Sequence, residues 1–488
     1  MRTLVDLPFD NTYARLPAAF YQRVEPTPVP DPYLVAFNPD AARLIDLDPA
    51  EAQKADFVEY FAGNKLLPGS EPVAMKYAGH QFGSWVPQLG DGRAILLGEV
   101  KNAAGERWDL HLKGAGKTMF SRFGDGRAVL RSSIREYLCG EALHALGVPT
   151  TRSLCIVGTD LEVYRESVES GAIIVRMAPS HVRFGSFEVF AHRGQTELVK
   201  TLADFVIDQH FAHLKDASDK YPAFLREVVA RTARLIAKWQ SVGFAHGVLN
   251  TDNMSILGLT LDYGPYGFME DFDPGFICNH SDETGRYAFD QQPRIGYWNL
   301  GALAQALLSL MTVDEARSAI NTYPDIFNSH MHELMSAKLG LTTNEEGDQT
   351  LWTSLLDLLA SMRVDYSIFF RTLGSFSTLP GATNDAIRRL FPNPAKFDDW
   401  AARYADRLRS EGTFDAERQT RMNRVNPKYI LRNYLAQIAI EKAQRKDFGE
   451  VDRLRGVLRM PFDEQPEMEH YAKPAPEWGR HLQVSCSS

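Results

Sequence analysis

The segment 246–270, HGVLNTDNMSILGLTLDYGPYGFME, constrains this chain more than any other stretch. It reads as a short loop carrying Asp252 and Asn253, a brief apolar strand over 254–261, and a turn at Asp262-Tyr263-Gly264. An asparagine and an aspartate held on adjacent rigid elements are what divalent cations on a nucleoside triphosphate require.

The order of a long helix, a His-x-x-Leu loop, a strand pair and Asp-Tyr-Gly is a kinase-type layout, and it is more specific than any of its parts. Laid on the usual H-R-D-L-x-x-x-N loop, the chain gives His246, Gly247, Val248, Leu249 and Asn253. Val248 stands where the base aspartate would be, and its side chain cannot accept a proton. Two readings stay open: the chain is inactive as an enzyme, or it works on a different phosphate with a different base.

The 488 residues are 44% apolar and 24% charged, a composition able to bury a large core. The net charge of −9, without a basic tail or stripe, argues against a nucleic-acid binder. No apolar run approaches the roughly 20 residues that cross a bilayer. Asp6 falls where a secretory apolar stretch would lie, so no signal peptide is expected and the cytoplasm is the expected compartment. The four cysteines, 139, 155, 278 and 486, show no metal-like spacing. Cys486 differs in lying on a polar tail, where a reactive or bridging thiol is one reading and a surface accident the other.

Residues 1–70 are rich in proline and aromatics, with one helical segment near 39–47, and read as an extension wrapping a larger body. In 77–100, glycines flank two strand-like runs, and Leu89-Gly90-Asp91-Gly92-Arg93 between them reads as a turn whose backbone can approach a phosphate. Residues 108–113 alternate as a half-buried strand ending in Lys113. The glycine loop 122–127, with Asp125 and Gly126, leads to a helix over 132–146, capped by Ser132 or Ser133. Glu136, in its first turns, is a natural partner for Lys113. Short strands follow at 153–157, 161–166 and 171–177. Arg176 lies inside the last of these and Arg183 in the loop after it. A buried arginine among Ile, Val and Met needs an anion, a ligand phosphate being preferred over an internal carboxylate.

From 196 the pattern is helical, with segments at 196–214, 221–242, 299–311, 314–337, 348–361, 382–390, 396–409, 414–422, 428–445 and 448–457. The last thirty or so residues read as loosely structured. The fold class expected is α+β, a kinase-like two-lobed body. It divides into an extension over 1–70, a β-rich lobe over 71–180, a helical lobe over 181–470 and a flexible tail over 471–488.

The chain resembles the selenoprotein O family of kinase-like protein adenylyltransferases. The resemblance rests on GHQFG at 79–83, LGDGRA at 89–94, LKGAGKT at 112–118, FGDGRAVLRSSIREYL at 123–138, HGVLNTDNM at 246–254, LDYGPYGFM at 261–269 and the terminal Cys486. It implies that ATP binds in reversed orientation and that AMP passes to Ser, Thr or Tyr hydroxyls of protein substrates. It implies that Gly90, Gly92, Arg93, Lys113, Asp125, Gly126, Arg176 and Arg183 contact the nucleotide. Asn253 and Asp262 would hold Mg²⁺ or Mn²⁺, with Asp252 as the base. It also implies a redox bridge from Cys486 to the activation segment, where Cys278 is the candidate. A monomer is expected, with no nucleic-acid or membrane partner. The alternatives are an inactive nucleotide-binding scaffold and an ordinary γ-phosphate kinase.

Overall fold

The computed structural model describes residues 1–480, Leu482 and Val484. Its β-rich part holds strands β1 (Tyr21–Arg23), β2 (Tyr33–Phe37), β3 (Val73–Met75), β4 (Gly79–Gln81), β5 (Ser84–Val86), β6 (Ala94–Lys101), β7 (Arg107–Lys113), β8 (Ala128–Val129), β9 (Arg152–Tyr164) and β10 (Val168–Ala178). The main sheet runs β1-β3-β6-β7-β10-β9-β2, with β8 paired to β10, while β4 and β5 form a separate hairpin. Residues 1–70 therefore do more than wrap: they supply the strands at both ends of that order.

Side-chain alternation divides the sheet into two covered faces. Ile95 and Leu97 of β6, Leu110 and Leu112 of β7, and Ile173 and Val175 of β10 pack with Leu4, Leu7, Ile45, Phe57 and Phe61 from the N-terminal segment. The opposite face carries Leu96, Ile156 and Ile174 and packs with Ile134 and Leu138 of helix α3 (Leu130–Ala145). The N-terminal helices α1 (Pro39–Leu44) and α2 (Ala55–Phe61) lie on the first face.

This two-sided cover corrects the half-buried reading of β7. Asp109, His111 and Lys113 are buried as fully as the leucines between them, because the polar side of the strand faces partners inside the protein. Asp109 bonds the His181 ring at 2.8 Å, and His111 bonds Asp91 at 2.9 Å.

Other expectations are also revised. The segments 153–157 and 161–166 form one long strand, β9, that pairs with β10 along its length. Helix α3 starts at Leu130, and its N-cap Val129 makes no side-chain cap bond, so neither Ser132 nor Ser133 caps it. No strand spans 254–261; Ser255 bridges Arg183 and Thr260 bridges Thr150, singly and with different partners. The loop holding Arg183 leads directly into helix α4 (Phe184–Ala191), of which Arg183 is the N-cap residue.

Helices α5 (Thr196–His210) and α6 (Lys220–Ser241) open the helical part. Phe224, Val228 and Ile236 of α6 join the core that continues under the sheet. A second cluster, including Leu355, Phe369, Trp400 and Tyr404, holds the later helices together. The expected helix at 314–337 is two, Val313–Ile320 and Tyr323–Lys338, with proline in the first turn of the second. The region after 458 is packed rather than loose up to Arg480: Tyr471 and Ala475 are buried. Among the described residues, no helix is long and apolar enough to cross a membrane. The molecule is thus α+β, β-rich toward its N-terminus and helical toward its C-terminus.

Candidate active site

A cavity of about 770 Å³ opens where the turn 89–93, the loop 120–127 and the strand ends of the sheet meet the segment 248–265. Gly90, Gly92, Arg93, Lys113, Asp125, Gly126, Arg176, Arg183, Asp252, Asn253 and Asp262 all line it, and so does Val248. Glu136 lies behind this wall, and Cys278 lies elsewhere. Seven cationic side chains line the cavity against four carboxylates. On a chain of net charge −9, that local surplus marks a site for a polyanion.

The strand register builds the charged floor. Ile174 of β10 pairs with Lys113 of β7, and Arg176 with His111, so both cations leave the sheet on the α3 face. Glu136 receives them there. Lys113 Nζ donates to its Oε2 at 2.7 Å, and Arg176 grips both oxygens, Nη2 donating to Oε2 at 3.0 Å. Arg176 also reaches Asp262 Oδ1 at 2.8 Å. Arg176 thus has internal carboxylates as partners, Glu136 and Asp262, both on the one face its strand position allows, while its side chain also lines the cavity. Burial pushes the Lys113 ammonium down to about 8, Glu136 opposing. Burial would raise the Glu136 carboxyl, but Arg176 and Lys113 hold it at about 2.

Arg183 pairs with Asp262 through Nη1, donates to the Asp252 carbonyl at 2.8 Å, and lies over the Tyr77 ring at 4.7 Å. Asp262 has positive φ, 59°, which turns its carboxylate toward these arginines. Against burial, Arg183 and Arg176 hold its carboxyl well below the usual range. Its side chain keeps 22% exposure, so it remains open to the cavity.

Asp252 is 5% exposed. Its Oδ2 accepts from Gln81 Nε2 at 3.0 Å, and its Oδ1 is buried without a hydrogen-bond partner. Burial pushes this carboxyl up to about 7. A buried acceptor left unmet is costly unless a ligand proton or cation completes it. Asn253 donates Nδ2 to the Val248 carbonyl at 3.1 Å, which leaves its own carbonyl oxygen as an acceptor. Oxygen donors of Asn and Asp suit a hard divalent cation, so these residues fit one.

The glycines have a reason beyond room for phosphate. Gly90 has φ +129°, and a Cβ there would meet the Phe120 ring; Gly126 has φ +75°, and a Cβ there would meet the Gly116 backbone. Asp125 is held by Arg165 through two bonds, 2.7 and 3.0 Å, at the cavity mouth.

Sequence reasoning missed Gln81, Tyr77 and Arg165. The signal for Gln81 was its place in the GHQFG run, whose turn has positive φ at Phe82 and Gly83. Phe82 N–H donates to Asn250 Oδ1 at 3.1 Å, and this fixes the hairpin against the loop that carries Asp252. Cys278 is buried, its Sγ 3.5 Å from the Ala245 carbonyl, and no disulfide joins the described cysteines to one another. Cys486, its expected partner, lies outside the described residues.

Comparison with known proteins identifies the family. The family described as "Protein adenylyltransferase SelO" matches residues 3–459. Proteins named protein nucleotidyltransferase YdiU are similar over the whole of both chains. The one from Myxococcus xanthus (strain DK1622) is 62% identical over 488 residues, and the one from Thiobacillus denitrificans (strain ATCC 25259 / T1) is 58% identical over 491. That of Thioalkalivibrio sulfidiphilus (strain HL-EbGR7) is 59% identical over 494. The chain belongs to the SelO family of protein adenylyltransferases, and it is a nucleotidyltransferase.

Proposed function

We propose that this chain transfers AMP from ATP to Ser, Thr or Tyr hydroxyls of other proteins, with ATP bound back to front in a kinase-like cleft. The observation that carries the reading is the pairing of Val248, inert at the usual base position, with Asp252, whose buried Oδ1 has no partner. Asp252 takes the proton of the acceptor hydroxyl. The hydroxyl oxygen bonds to the α-phosphorus, the bond from that phosphorus to the bridging oxygen breaks, and pyrophosphate leaves with the electron pair.

Lys113, Arg176 and Arg183 oppose the charge that develops on the departing pyrophosphate. Arginine suits this because its fork holds two phosphate oxygens at once. Each donor acts in a largely water-excluded site, where its Coulomb interaction is larger than in bulk. A triphosphate entering the cavity offers the arginines new anions and leaves Asp262 oxygens for a cation. Asn253 and Asp262 would hold Mg²⁺ or Mn²⁺, which would neutralise phosphate charge when bound.

Incubation of an acceptor protein with ATP labelled at the α or the γ position tests this. Protein label from the α position with stoichiometric pyrophosphate is expected. Label from the γ position with ADP would make the chain an ordinary kinase, and ATP binding without either product would make it a scaffold.

A further inference from the structure

Three donors outside the nucleotide cavity converge on one point. His80 comes from β4, while Glu188 on α4 and His192 at its C-cap are four residues apart and so share one helix face. His80 Nδ1 lies 2.6 Å from Glu188 Oε2, and one donor atom of each residue lies within 4.8 Å of those of the other two. None of the three lines the nucleotide cavity.

The Glu188 side chain is 1% exposed, and its ion-pair partner among the described residues is His80. Its second oxygen, Oε1, is buried and makes no hydrogen bond of good geometry, the Thr251 hydroxyl being the polar group beside the carboxylate. A histidine pair with an ordinary structural role would leave that acceptor unmet at a cost, whereas a cation would meet it. The rings are also held in place. Trp85 stacks on His192 with centroids 3.7 Å apart, and Trp298 meets His80 edge-on at 5.3 Å. His80, His192 and Trp298 form part of the wall of a separate cavity of about 630 Å³.

We propose that His80, Glu188 and His192 form a binding site for a divalent transition-metal cation of the zinc class, with a fourth position open to that cavity. Two imidazole nitrogens and one carboxylate are a donor set that zinc takes readily, and magnesium, which prefers oxygen, does not. Donors bound at about 2.0–2.2 Å to one tetrahedral ion lie roughly 3.4 Å apart, so binding opens the direct 2.6 Å contact of His80 with Glu188 and places the ion between them, with the exposed His192 as the third donor.

The site bears on the nucleotide cavity through its neighbours. The residue after His80 is Gln81, which bonds Asp252, and the His80 backbone N–H donates to Thr251 Oγ1 at 2.7 Å. Arg183, the N-cap residue of helix α4, pairs with Asp262. A cation here clasps the hairpin to the helix on the two sides of the loop carrying Asp252.

The test is calorimetric titration of chelator-stripped full-length protein with Zn²⁺, in excess Mg²⁺ so that the nucleotide cavity is not the site read. Co²⁺ absorption and quenching of tryptophan fluorescence serve as second readouts. One Zn²⁺ per chain is expected for the wild type. His192→Ala, an exposed change that leaves the fold intact, weakens binding at least about tenfold. Glu188→Gln does the same where it folds, and Asp262→Asn binds as the wild type does. The absence of a saturable site in the wild type, equal affinity in His192→Ala, or loss in Asp262→Asn with retention in His192→Ala each overturns the proposal.

Discussion

The side-chain amide of Gln81 donates to Oδ2 of Asp252 across 3.0 Å and 171 residues of chain, joining the β4–β5 hairpin to the loop that carries the proposed base. Gln81 touches the carboxylate that takes the proton and pairs with no phosphate-binding cation. Its loss therefore acts on turnover rather than on ATP binding. A hydrogen bond to a charged group is worth roughly 1.5 kcal/mol, about tenfold in rate. Gln81→Ala should lower kcat for AMP transfer by about that factor with the KM for ATP nearly unchanged. A raised KM at constant kcat would contradict this assignment.

Glu136 offers a prediction in pH. It holds Lys113 and Arg176 together, and it opposes the burial that pushes Lys113 down to about 8. In Glu136→Gln the ammonium loses that support and titrates below 8, so ATP binding should weaken as pH rises from 6 to 8, more steeply than in the wild type. Steady-state KM values across that range check it. Stability follows with the opposite window. The carboxyl is depressed from 4.5 to about 2, so its contribution is complete above pH 4.5 and is lost as pH falls through 2. That contribution is about 3 kcal/mol, and melting curves of the variant should be flatter over this acid range.

These contacts differ in how far the sequence disclosed them. A lysine ending a strand after a glycine turn, then a glutamate early in the next helix, puts the Lys113–Glu136 contact within reach of local reasoning. Arg176 was legible as a buried cation in need of an anion. Which anion it meets depends on the β7–β10 register, which no local pattern states. The apolar stretch 254–261 looked like a strand because periodicity cannot distinguish a ladder from two isolated bridges to Arg183 and Thr150. Proline-rich composition hid β1 and β2 for a related reason: an edge strand needs hydrogen bonds on one side only, so it tolerates residues that a central strand does not. Gln81 had no local signal at all beyond its turn, since its partner is remote in sequence.

Asp262 carries a prediction about the cations it neutralises. Arg183 is 2% exposed, and Asp262 is the carboxylate with which it pairs. Asp262→Asn leaves that guanidinium buried with the Asp252 carbonyl and the Tyr77 ring, at a cost of about 3–5 kcal/mol. AMP transfer should be lost and Tm should fall. Tripolyphosphate, added without metal, should restore more of the lost Tm in the variant than it adds to the wild type, because it supplies the missing anion. An equal increment in both proteins would show that the arginine does not face the phosphate site.

Asp252 should trade stability for activity. Burial raises its carboxyl from 3.8 to about 7, so the ionised form that accepts a proton is one the folded protein disfavours. A group raised in this way contributes its full stability below pH 3.8, and that contribution is gone once pH passes 7. The loss amounts to about 4 kcal/mol at pH 8. Asp252→Asn removes the charge and keeps the shape, with a buried amide in place of a buried carboxylate. In a chelator-containing buffer at pH 8 it should melt higher than the wild type, while near pH 4 the two should melt together. Transfer by the variant should be severely reduced at every pH. A variant that is less stable than the wild type at pH 8 would mean that Asp252 is ionised comfortably in the folded state and is held there by partners stronger than Gln81.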